Sequence, residues 1–255
     1  MAPTLKNKHE LAAMRQAGRI VGECHRLLRE AVRPGITTGQ LNTLVQDHIV
    51  RSGGVPSFLG YPGPTPFPAA TCISVNDEIV HGIPGPRVLR EGDIVSVDIG
   101  VIWNGYHGDS AWTYPVGRVS DVALDLLRVT ERTLYHALEF ARVGNRLTDI
   151  SHAIQSFAES HGYGVVRKYI SHGIGRSLHE DPQIKNYGPP GAGLRLQAGM
   201  TFAIEPMITQ RSYETRELQD GWTVVTADGG LAAHFEHTVA LTANGPPEIL
   251  TRQDW

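Results

Sequence analysis

The chain has 255 residues, of which 41% are hydrophobic, and its formal net charge is −3 at pH 7. This composition is typical of a soluble globular protein and gives no general reason to bind nucleic acid or an anionic membrane. No apolar run approaches the roughly 18 residues of a membrane span, and the N-terminus does not resemble a signal peptide. Cys24 and Cys72 are too few for a disulfide framework or a four-cysteine zinc site, so we expect a cytoplasmic protein.

Two helices and three strands are predicted in the first half of the chain. Apolar residues recur at helical spacing over residues 8–32 and again over 38–51, and glycine follows each run. The strands are expected at residues 71–76, 94–103 and 106–115. The proline-rich stretch 62–68 between helix and strand is predicted to be a rigid surface loop.

The second half of the chain repeats this order. Helices are predicted over residues 122–141 and 148–160, and strands over 165–170, 201–208, 222–227 and 234–242. Residues 33–54 align with residues 142–163 without a gap, with the same helix, turn and terminating glycine, although few residues are identical. We therefore expect an α+β fold: one domain of residues 1–255, with a cleft between pseudo-repeat halves at about 8–120 and 121–250.

A hairpin in the first half places two aspartates together. The pair Asn104–Gly105 between two alternating runs is a strong signal for a two-residue turn, because both residues must accept positive φ. In the register that this turn sets, Asp98 and Asp109 lie on one face as diagonal neighbours about 7–8 Å apart, and His107 shares that face. The hairpin is either exposed, with solvated acids, or buried, in which case the two carboxylates require a cation.

Three more ionisable residues lie in apolar surroundings. Glu205 and Glu236 fall inside predicted strands, and His172 is expected at the end of strand 165–170. Each alone could be an edge residue or the partner of an arginine, but arginine is scarce beside them. Together with Asp98 and Asp109 they form an oxygen-rich set that suits Mn(II), Fe(II), Co(II) or Zn(II). Four carboxylates balance two divalent ions, and bridging ligands would hold such ions about 3.5–4 Å apart.

The chain resembles the type I methionine aminopeptidases over essentially its whole length. The motifs that carry the resemblance are SVNDEIVHGIP (74–84), DIGVIWNGYHGDSA (98–111), SHGIGRSLHEDP (171–182), FAIEPM (202–207), DGWTVVTADG (220–229) and FEHTVALT (235–242). The resemblance implies the pita-bread fold, in which two pseudo-symmetric halves pack their helices outside a curved antiparallel sheet. It also implies a metal-dependent hydrolase that removes the initiator methionine from nascent proteins when the second residue is small.

The same resemblance implies a ligand set for two divalent ions per chain, which could be cobalt, manganese, iron, zinc or nickel. One ion would be held by Asp98, Asp109 and Glu236. The other ion would be held by Asp109, His172, Glu205 and Glu236. Asp109 and Glu236 would then bridge the two ions.

Catalytic roles also follow from the resemblance. A hydroxide that bridges the metals would attack the scissile carbonyl, and Glu205 would accept its proton. His179 would bind the peptide carbonyl as it becomes tetrahedral, and His81 would contact the scissile nitrogen or the neighbouring backbone. His179 lies beyond a glycine-rich bend and is expected at the cleft mouth.

A methionine pocket is implied as well, although its members could equally belong to the core. The family positions fall on Tyr61, Phe67, Cys72, Leu178 and Trp222. Phe67 stands where the family often has tyrosine, and Leu178 where an aromatic residue is common. These departures leave the shape of the pocket open.

The expected partners are nascent polypeptide N-termini at the ribosome, with no sequence-specific nucleic acid and no membrane, and the expected state is a monomer. One rival is a proline-specific aminopeptidase or dipeptidase of the same fold, but these usually carry an additional N-terminal domain, and only about 70 residues precede Cys72. Type II methionine aminopeptidases carry an insertion between the positions of Glu205 and Glu236, which only 30 residues separate here. A metal-free binding protein of this fold would lose ligands, and all five are present.

Overall fold

A computed structural model describes residues 3–253 of the chain, and this range contains four α-helices. The helices are α1 (Lys8–Ala31), α2 (Thr38–Arg51), α3 (Asp121–Phe140) and α4 (Leu147–Ser160). Each boundary lies within one residue of its predicted position. Among these described helices, none has the length and apolar character of a membrane-spanning segment.

The starts of the first two helices are set by local hydrogen bonds. The Asn7 side chain accepts from the backbone N–H of Glu10, and the Glu10 carboxylate accepts from the Asn7 backbone N–H at 2.8 Å. Thr37 and Gln40 form the same reciprocal pair at the start of α2. Because such a capping box satisfies backbone donors that the first helical turn leaves free, it fixes where a helix begins.

The strands of the described range form four antiparallel sheets. They are β1 (Val55–Pro56), β2 (Thr71–Val75), β3 (Glu78–Val80), β4 (Ile94–Trp103), β5 (Tyr106–Pro115), β6 (Gly164–Val165), β7 (Ser171–Gly173), β8 (Glu180–Ile184), β9 (Thr201–Ile204), β10 (Met207–Thr209), β11 (Thr215–Glu217), β12 (Val224–Thr226), β13 (Ala232–His234), β14 (His237–Ala240) and β15 (Glu248–Ile249). The β4–β5 hairpin pairs with β1 and β2 through β4, and β11–β12–β3 form a small sheet. The other two sheets have the orders β13–β10–β6 and β15–β14–β9–β7–β8. The α+β class is confirmed.

Two predicted strands, 201–208 and 234–242, are each interrupted. The first divides into β9 and β10 around Glu205, and the second into β13 and β14 around Glu236. In both cases the two parts belong to different sheets, because β10 and β13 pair with each other while β9 pairs with β14. The two glutamates therefore lie where the chain crosses from one sheet to the other, and not inside continuous strands.

The predicted strand 165–170 was wrong. Only Gly164–Val165 is extended there, and it pairs with β10, whereas the next strand, β7, pairs with β8 and β9 in the other sheet. The chain crosses between the two sheets over residues 166–170, which belong to neither strand, although the Val166 N–H still donates to the Met207 carbonyl at 3.0 Å. His172 consequently lies inside β7 and does not follow a strand. The strands predicted at 71–76 and 222–227 are shorter, ending at residue 75 and spanning only 224–226.

The main core joins residues from both predicted halves. It contains Val97 and Trp112 of the hairpin together with Phe202 and Phe235 of the second half. The Trp112 and Phe235 rings meet edge to face with centroids 4.6 Å apart. The order of two helices followed by strands occurs twice along the described chain, but the division into pseudo-repeat halves stays a prediction.

Helix α1 approaches the hairpin so closely that only glycine fits at the contact. A Cβ atom on Gly108 would lie 2.8 Å from the backbone nitrogen of Gly18, and a Cβ on Gly18 would overlap the backbone carbonyl of Leu250. Real Cβ atoms do not approach backbone atoms at such distances. Since Gly108 directly precedes Asp109, this contact also fixes the position of that carboxylate relative to α1.

We predict that Gly18→Ala destabilises the fold. Helix propensity alone would favour alanine by about 1 kcal/mol, but overpacking against a backbone that cannot move typically costs about 1–3 kcal/mol. The destabilisation from the steric clash should exceed the gain in helix propensity. Gly18→Ala should therefore unfold at a lower denaturant concentration than the unmodified protein. The matched control is Gly85→Ala, because no heavy atom lies within 4 Å of the added Cβ there. A Gly18→Ala midpoint at or above that of the unmodified chain would contradict the close contact between Gly18 and the backbone of Leu250.

Candidate metal centre

All twelve side chains predicted for the site surround one cavity of about 270 Å³. They are Tyr61, Phe67, Cys72, His81, Asp98, Asp109, His172, Leu178, His179, Glu205, Trp222 and Glu236. The carboxylates and His172 lie together, and an apolar cluster forms another part of the wall, which Lys168 and further histidines complete. The structure therefore brings the predicted residues together, while the role of each residue stays a prediction.

The hairpin carries two of the carboxylates in the predicted register. Trp103 lies opposite Tyr106, and Asp98 lies opposite Ala111. The turn residues Asn104 and Gly105 have φ values of 47° and 78°, as a two-residue turn of this type requires. Asp98 and Asp109 therefore share one face of a buried hairpin.

The alternative of an exposed hairpin is wrong, since Asp109 is only 4% exposed. His107 shares the face but bonds elsewhere, with its Nδ1 atom 2.9 Å from the hydroxyl of Ser57.

Pairing between β7, β9 and β14 brings the other donors to the hairpin. His172 pairs with Ala203 of β9, one strand away from β14. Glu205 directly follows β9, and Glu236 directly precedes β14. The backbone N–H of Glu236 donates to the carbonyl of Ala111 at 2.9 Å, which ties this segment to the hairpin.

The donor atoms are close enough to share a cation. Atoms of Asp109, His172 and Glu236 lie within 4.8 Å of one another. His172 Nε2 lies 3.4 Å from Oε1 of Glu205. Two donors at roughly 2.0–2.2 Å from one ion lie at most about 4.4 Å apart, so the 3.4 Å pair fits a shared divalent metal and the wider pairs come within a few tenths of an ångström of doing so.

Several polar atoms in this part of the cavity have no protein partner. Among residues 3–253, Oδ1 of Asp98, Oδ1 of Asp109, Oε1 of Glu236 and Nε2 of His234 are buried without a hydrogen bond. A buried polar atom left unsatisfied typically costs about 1–3 kcal/mol. A cation would provide the partner that the carboxylate oxygens lack, so the donor set fits a metal.

The electrostatics of the carboxylates lead to the same conclusion. Burial, together with the charge on Glu205, raises the pKa of Asp98 to about 7. Burial and the charges of Asp98 and Glu205 raise the pKa of Asp109, and burial raises the pKa of Glu205. The pKa of Glu236 is likewise raised, by burial and by the neighbouring acids. In the protein alone these groups therefore tend to hold protons, and divalent cations would favour their ionised forms.

His172 is prepared to act as a ligand. Its Nδ1 lies 2.8 Å from the carbonyl of Gly173, so that nitrogen carries the proton and donates it. The lone pair is then on Nε2, which faces Glu205. Burial, with a contribution from His179, lowers the pKa of His172 to about 3, which keeps the ring neutral as metal binding requires.

His179 lies beside the donors and is anchored by a tyrosine. The Tyr61 hydroxyl and His179 Nδ1 are hydrogen bonded at 2.6 Å. The His179 and His172 rings lie with centroids 4.3 Å apart. The neighbouring Glu180 forms an ion pair with Lys6 at 2.6 Å, so the N-terminal segment holds the loop that carries His179.

His81 enters the cavity from a strained turn. Its φ of 60° is a left-handed conformation that side chains other than glycine rarely adopt. Its ring meets Tyr169 and Trp222 edge to face, with centroid separations of 5.5 and 6.2 Å. Such strain is typical of functional positions, where the surrounding structure holds a side chain in place.

The proline-rich loop 62–68 is mostly exposed, but it also builds the apolar wall. Phe67 is buried and meets Trp222 edge to face at 5.1 Å. The Trp222 indole N–H donates to the carbonyl of Thr65 at 3.0 Å, and Gly63 packs directly against the indole ring. The description of this stretch as a surface loop was therefore incomplete, because it forms one side of the cavity.

Sequence reasoning missed two charged or ionisable residues that line the cavity, Lys168 and His234, and His234 lies among the carboxylates. The His234 side chain is 2% exposed, and Nε2 lies 3.5 Å from Oε2 of Glu205. The sequence signal that could have identified His234 is its spacing: it occurs two positions before Glu236, and residues two apart in a strand lie on the same face. Tyr169 and Met207 also line the cavity and were not predicted.

Comparisons with known proteins identify the family of the chain. Residues 12–243 match the model of metallopeptidase family M24. Methionine aminopeptidase 1 of Bacillus subtilis is 54% identical over 247 residues, which cover 97% of this chain and 98% of that protein. The crystal structure of methionine aminopeptidase from Thermotoga maritima has a TM-score of 0.95 and 46% identity, over 98% of this chain and 100% of that chain.

A more distant structure shares the fold alone. The prolidase from Pyrococcus furiosus has a TM-score of 0.79 at 22% identity, and the match covers 98% of this chain but 66% of the prolidase. The predicted pita-bread fold is confirmed by these neighbours. The chain belongs to metallopeptidase family M24.

Proposed function

We propose that this protein is a methionine aminopeptidase, which hydrolyses the first peptide bond of nascent polypeptides to release the initiator methionine. The observation that carries the proposal is a single cavity with a carboxylate–imidazole centre and an apolar wall beside it. The near full-length similarity to proteins of that name supports the same activity.

We further propose that the centre holds two divalent ions. Four carboxylates balance the charge of two such ions, and the ligands would be Asp98, Asp109, His172, Glu205 and Glu236. Carboxylate and imidazole donors suit manganese, iron, cobalt, nickel or zinc. When bound, the ions supply Lewis acidity, which activates water and polarises the scissile carbonyl.

The protein's own groups would then orient the substrate and move protons. Glu205 stands among the donors and would accept the proton of the attacking water. With the Tyr61 hydroxyl donating to Nδ1 of His179, the ring proton lies on Nε2, which can donate to the oxyanion that develops on the carbonyl. His81 faces the same cavity and would hold the peptide backbone next to the cleaved bond.

The apolar wall would receive the methionine side chain. Tyr61, Phe67, Cys72, Leu178 and Trp222 surround this part of the cavity, and Phe67, Cys72 and Leu178 are buried. A thioether is apolar and flexible, so it fits such a wall. The two cavity histidines, His81 and His179, crowd the position of the second residue, which limits it to small side chains.

The site is complete in one chain, which supports action as a monomer. Each of the predicted donors and cavity residues comes from the same polypeptide. The substrate supports a place of action in the cytoplasm at the ribosome, where new N-termini emerge. A proline-specific aminopeptidase is the second candidate, because the prolidase fold is related, and a peptide panel separates the two.

We predict that the protein releases methionine from Met-Ala-Ser once a divalent metal is added. It should leave Pro-Ala-Ser and Ala-Pro-Ala intact, and it should cleave Met-Leu-Ser at least tenfold more slowly because the second position is crowded. Amino-acid release can be followed by chromatography after adding manganese, cobalt, iron, nickel or zinc to chelator-treated protein. Cleavage of Ala-Pro-Ala without cleavage of Met-Ala-Ser would favour the proline-specific enzyme.

Two histidines on neighbouring segments should respond differently to mutation. His172→Ala should weaken binding of one ion and recover part of its activity at high metal concentration, because His172 Nε2 faces the donors. His179→Ala should keep metal affinity and lower kcat by about 10²–10³, the usual effect of losing one oxyanion donor. Calorimetric metal titration and steady-state kinetics on both variants test this division, which fails if His179→Ala loses an ion.

The metal-free protein should lose stability as the pH rises from about 4 to about 7, the range between the ordinary and the folded pKa of Asp98. Because the folded pKa of Asp98, about 7, lies above its ordinary value of 3.8, the folded state binds more protons than the unfolded state in this window. Ionising the buried acid therefore destabilises the fold. Asp98→Asn should reduce the decrease in melting temperature with rising pH. Saturating Mn(II) should abolish that decrease in the unmodified protein. An identical slope in both metal-free proteins would exclude this origin.

A further inference from the structure

We propose that His234 is a positioning residue that holds the carboxylate of Glu205 for catalysis, by donating the proton on Nε2 to Oε2. This inference rests on the proposed function, in which Glu205 accepts the proton of the attacking water. Nothing in the donor set described above requires His234, and its side chain is otherwise unexplained.

The imidazole is buried and aimed at the site. Its side chain is 2% exposed, it lines the cavity, and Nε2 has no hydrogen-bond partner among residues 3–253. The nearest acidic atoms are Oε2 of Glu205 at 3.5 Å and Oε2 of Glu236 at 4.0 Å. If Nε2 carries the ring proton, leaving it without an acceptor is costly, so a small movement that forms a hydrogen bond to Glu205 is favourable.

Two imidazoles flank the two oxygens of Glu205. Oε1 lies 3.4 Å from Nε2 of His172, which carries a lone pair, and Oε2 lies 3.5 Å from Nε2 of His234. The oxygen beside His172 is therefore the one that would share a cation with His172. The oxygen beside His234 would not bind this cation, and a hydrogen bond donated by His234 would hold it in one orientation.

Hydrogen bonds of the backbone fix the positions of Glu205 and His234 in the main chain. The Glu205 N–H donates to the Ser171 hydroxyl at 2.9 Å, and the Asn186 side chain donates to the Glu205 carbonyl at 3.0 Å. The His234 N–H donates to the Thr113 hydroxyl at 2.9 Å, and this hydroxyl lies 2.9 Å from the His234 carbonyl.

The remaining freedom lies in the rotatable bonds of the glutamate side chain. A proton acceptor must be held within a fraction of an ångström of its productive position, and a displacement of about 1 Å can cost about 100-fold in rate. His234 is the side chain placed to supply this restraint from the side opposite His172.

The test compares three substitutions at position 234. His234→Gln retains an N–H the same number of bonds from Cβ, whereas His234→Leu removes the donor. His234→Asn retains an amide but is one bond too short to reach Glu205. His136→Leu is the matched control, because this histidine packs against Phe140 and Phe157 on the helical side of the molecule.

The kinetics should distinguish positioning from substrate binding. With Met-Ala-Ser and saturating metal, we expect His234→Leu and His234→Asn to lower kcat by about 10–100-fold with KM nearly unchanged. His234→Gln should restore most of the rate, and His136→Leu should match the unmodified protein. An unchanged kcat, or a change confined to KM, would overturn the proposal.

Two further readouts do not depend on activity. Calorimetric titration with Mn(II) should give the same stoichiometry and similar affinity for all four variants. Loss of one ion in His234→Leu would make His234 a ligand and overturn the positioning role. Crystal structures should show one Glu205 side-chain conformation in His234→Gln and several in His234→Leu, and a single unchanged conformation in both would also overturn it.

Failure of this inference and failure of the proposed function give different results. If the unmodified protein releases no methionine with any metal, the proposed function fails, while the metal titrations and Glu205 conformations still decide the role of His234. If the unmodified protein is active and His234→Leu equals it, only the inference fails. Should His234→Leu not fold, as judged by thermal melting, the comparison of His234→Gln with His234→Asn gives the same decision.

Discussion

Mutual repulsion among four carboxylates is the constraint on which the functional part of this molecule depends. Asp109 and Glu236 are almost inaccessible to solvent, and Asp98 and Glu205 are partly accessible from the cavity. Burial raises the pKa of all four carboxylates, and neighbouring acids raise it further at Asp98, Asp109 and Glu236. Such a cluster would be a poor way to stabilise a fold, since hydrophobic residues of similar size would serve at least as well. Its presence therefore reflects selection for binding cations, and the surrounding structure is organised to hold the donors in place.

That organisation comes from two sheets that meet at the cavity. The chain crosses between the sheets three times, over residues 166–170, at Glu205 and at Glu236. At a crossing the backbone leaves one ladder before joining the next, so a side chain there can turn toward the space between the sheets. The hairpin then adds its two aspartates through backbone and side-chain bonds, such as the Ser110 hydroxyl that donates to the Glu236 carbonyl at 2.6 Å. The donors thus occupy rigid positions although two of them lie outside strands.

The helices, the hairpin register and the membership of the cavity could be predicted from sequence because their determinants are local or are carried by motifs. The turn at Asn104–Gly105 fixes the register by itself, and Asn7 and Thr37 mark helix starts. The interruptions at Glu205 and Glu236 could not be predicted, because they depend on which distant strands pair. The hydrophobic pattern of a strand is the same whether or not the chain passes from one sheet to another within it. His234 was missed for a related reason: its significance lies in its distance to Glu205, 29 positions earlier in the chain.

The side chains that would meet the substrate are held differently from the metal donors. His179 lies on a loop that three contacts with distant parts of the sequence restrain. The Tyr61 hydroxyl is hydrogen bonded to the His179 ring, and the backbone N–H of His107 donates to the Gly175 carbonyl at 2.8 Å. Lys6 forms an ion pair with Glu180. Burial alone would raise the pKa of Glu180, but hydrogen bonds from Lys6 and the Ser177 backbone lower it, so this carboxylate stays ionised at neutral pH. A loop fixed at a few points can adjust by a fraction of an ångström as a carbonyl becomes tetrahedral, whereas Asp98, Asp109 and His172 are held by strand pairing. The fold therefore places rigidity at the ions and limited freedom at the reacting bond.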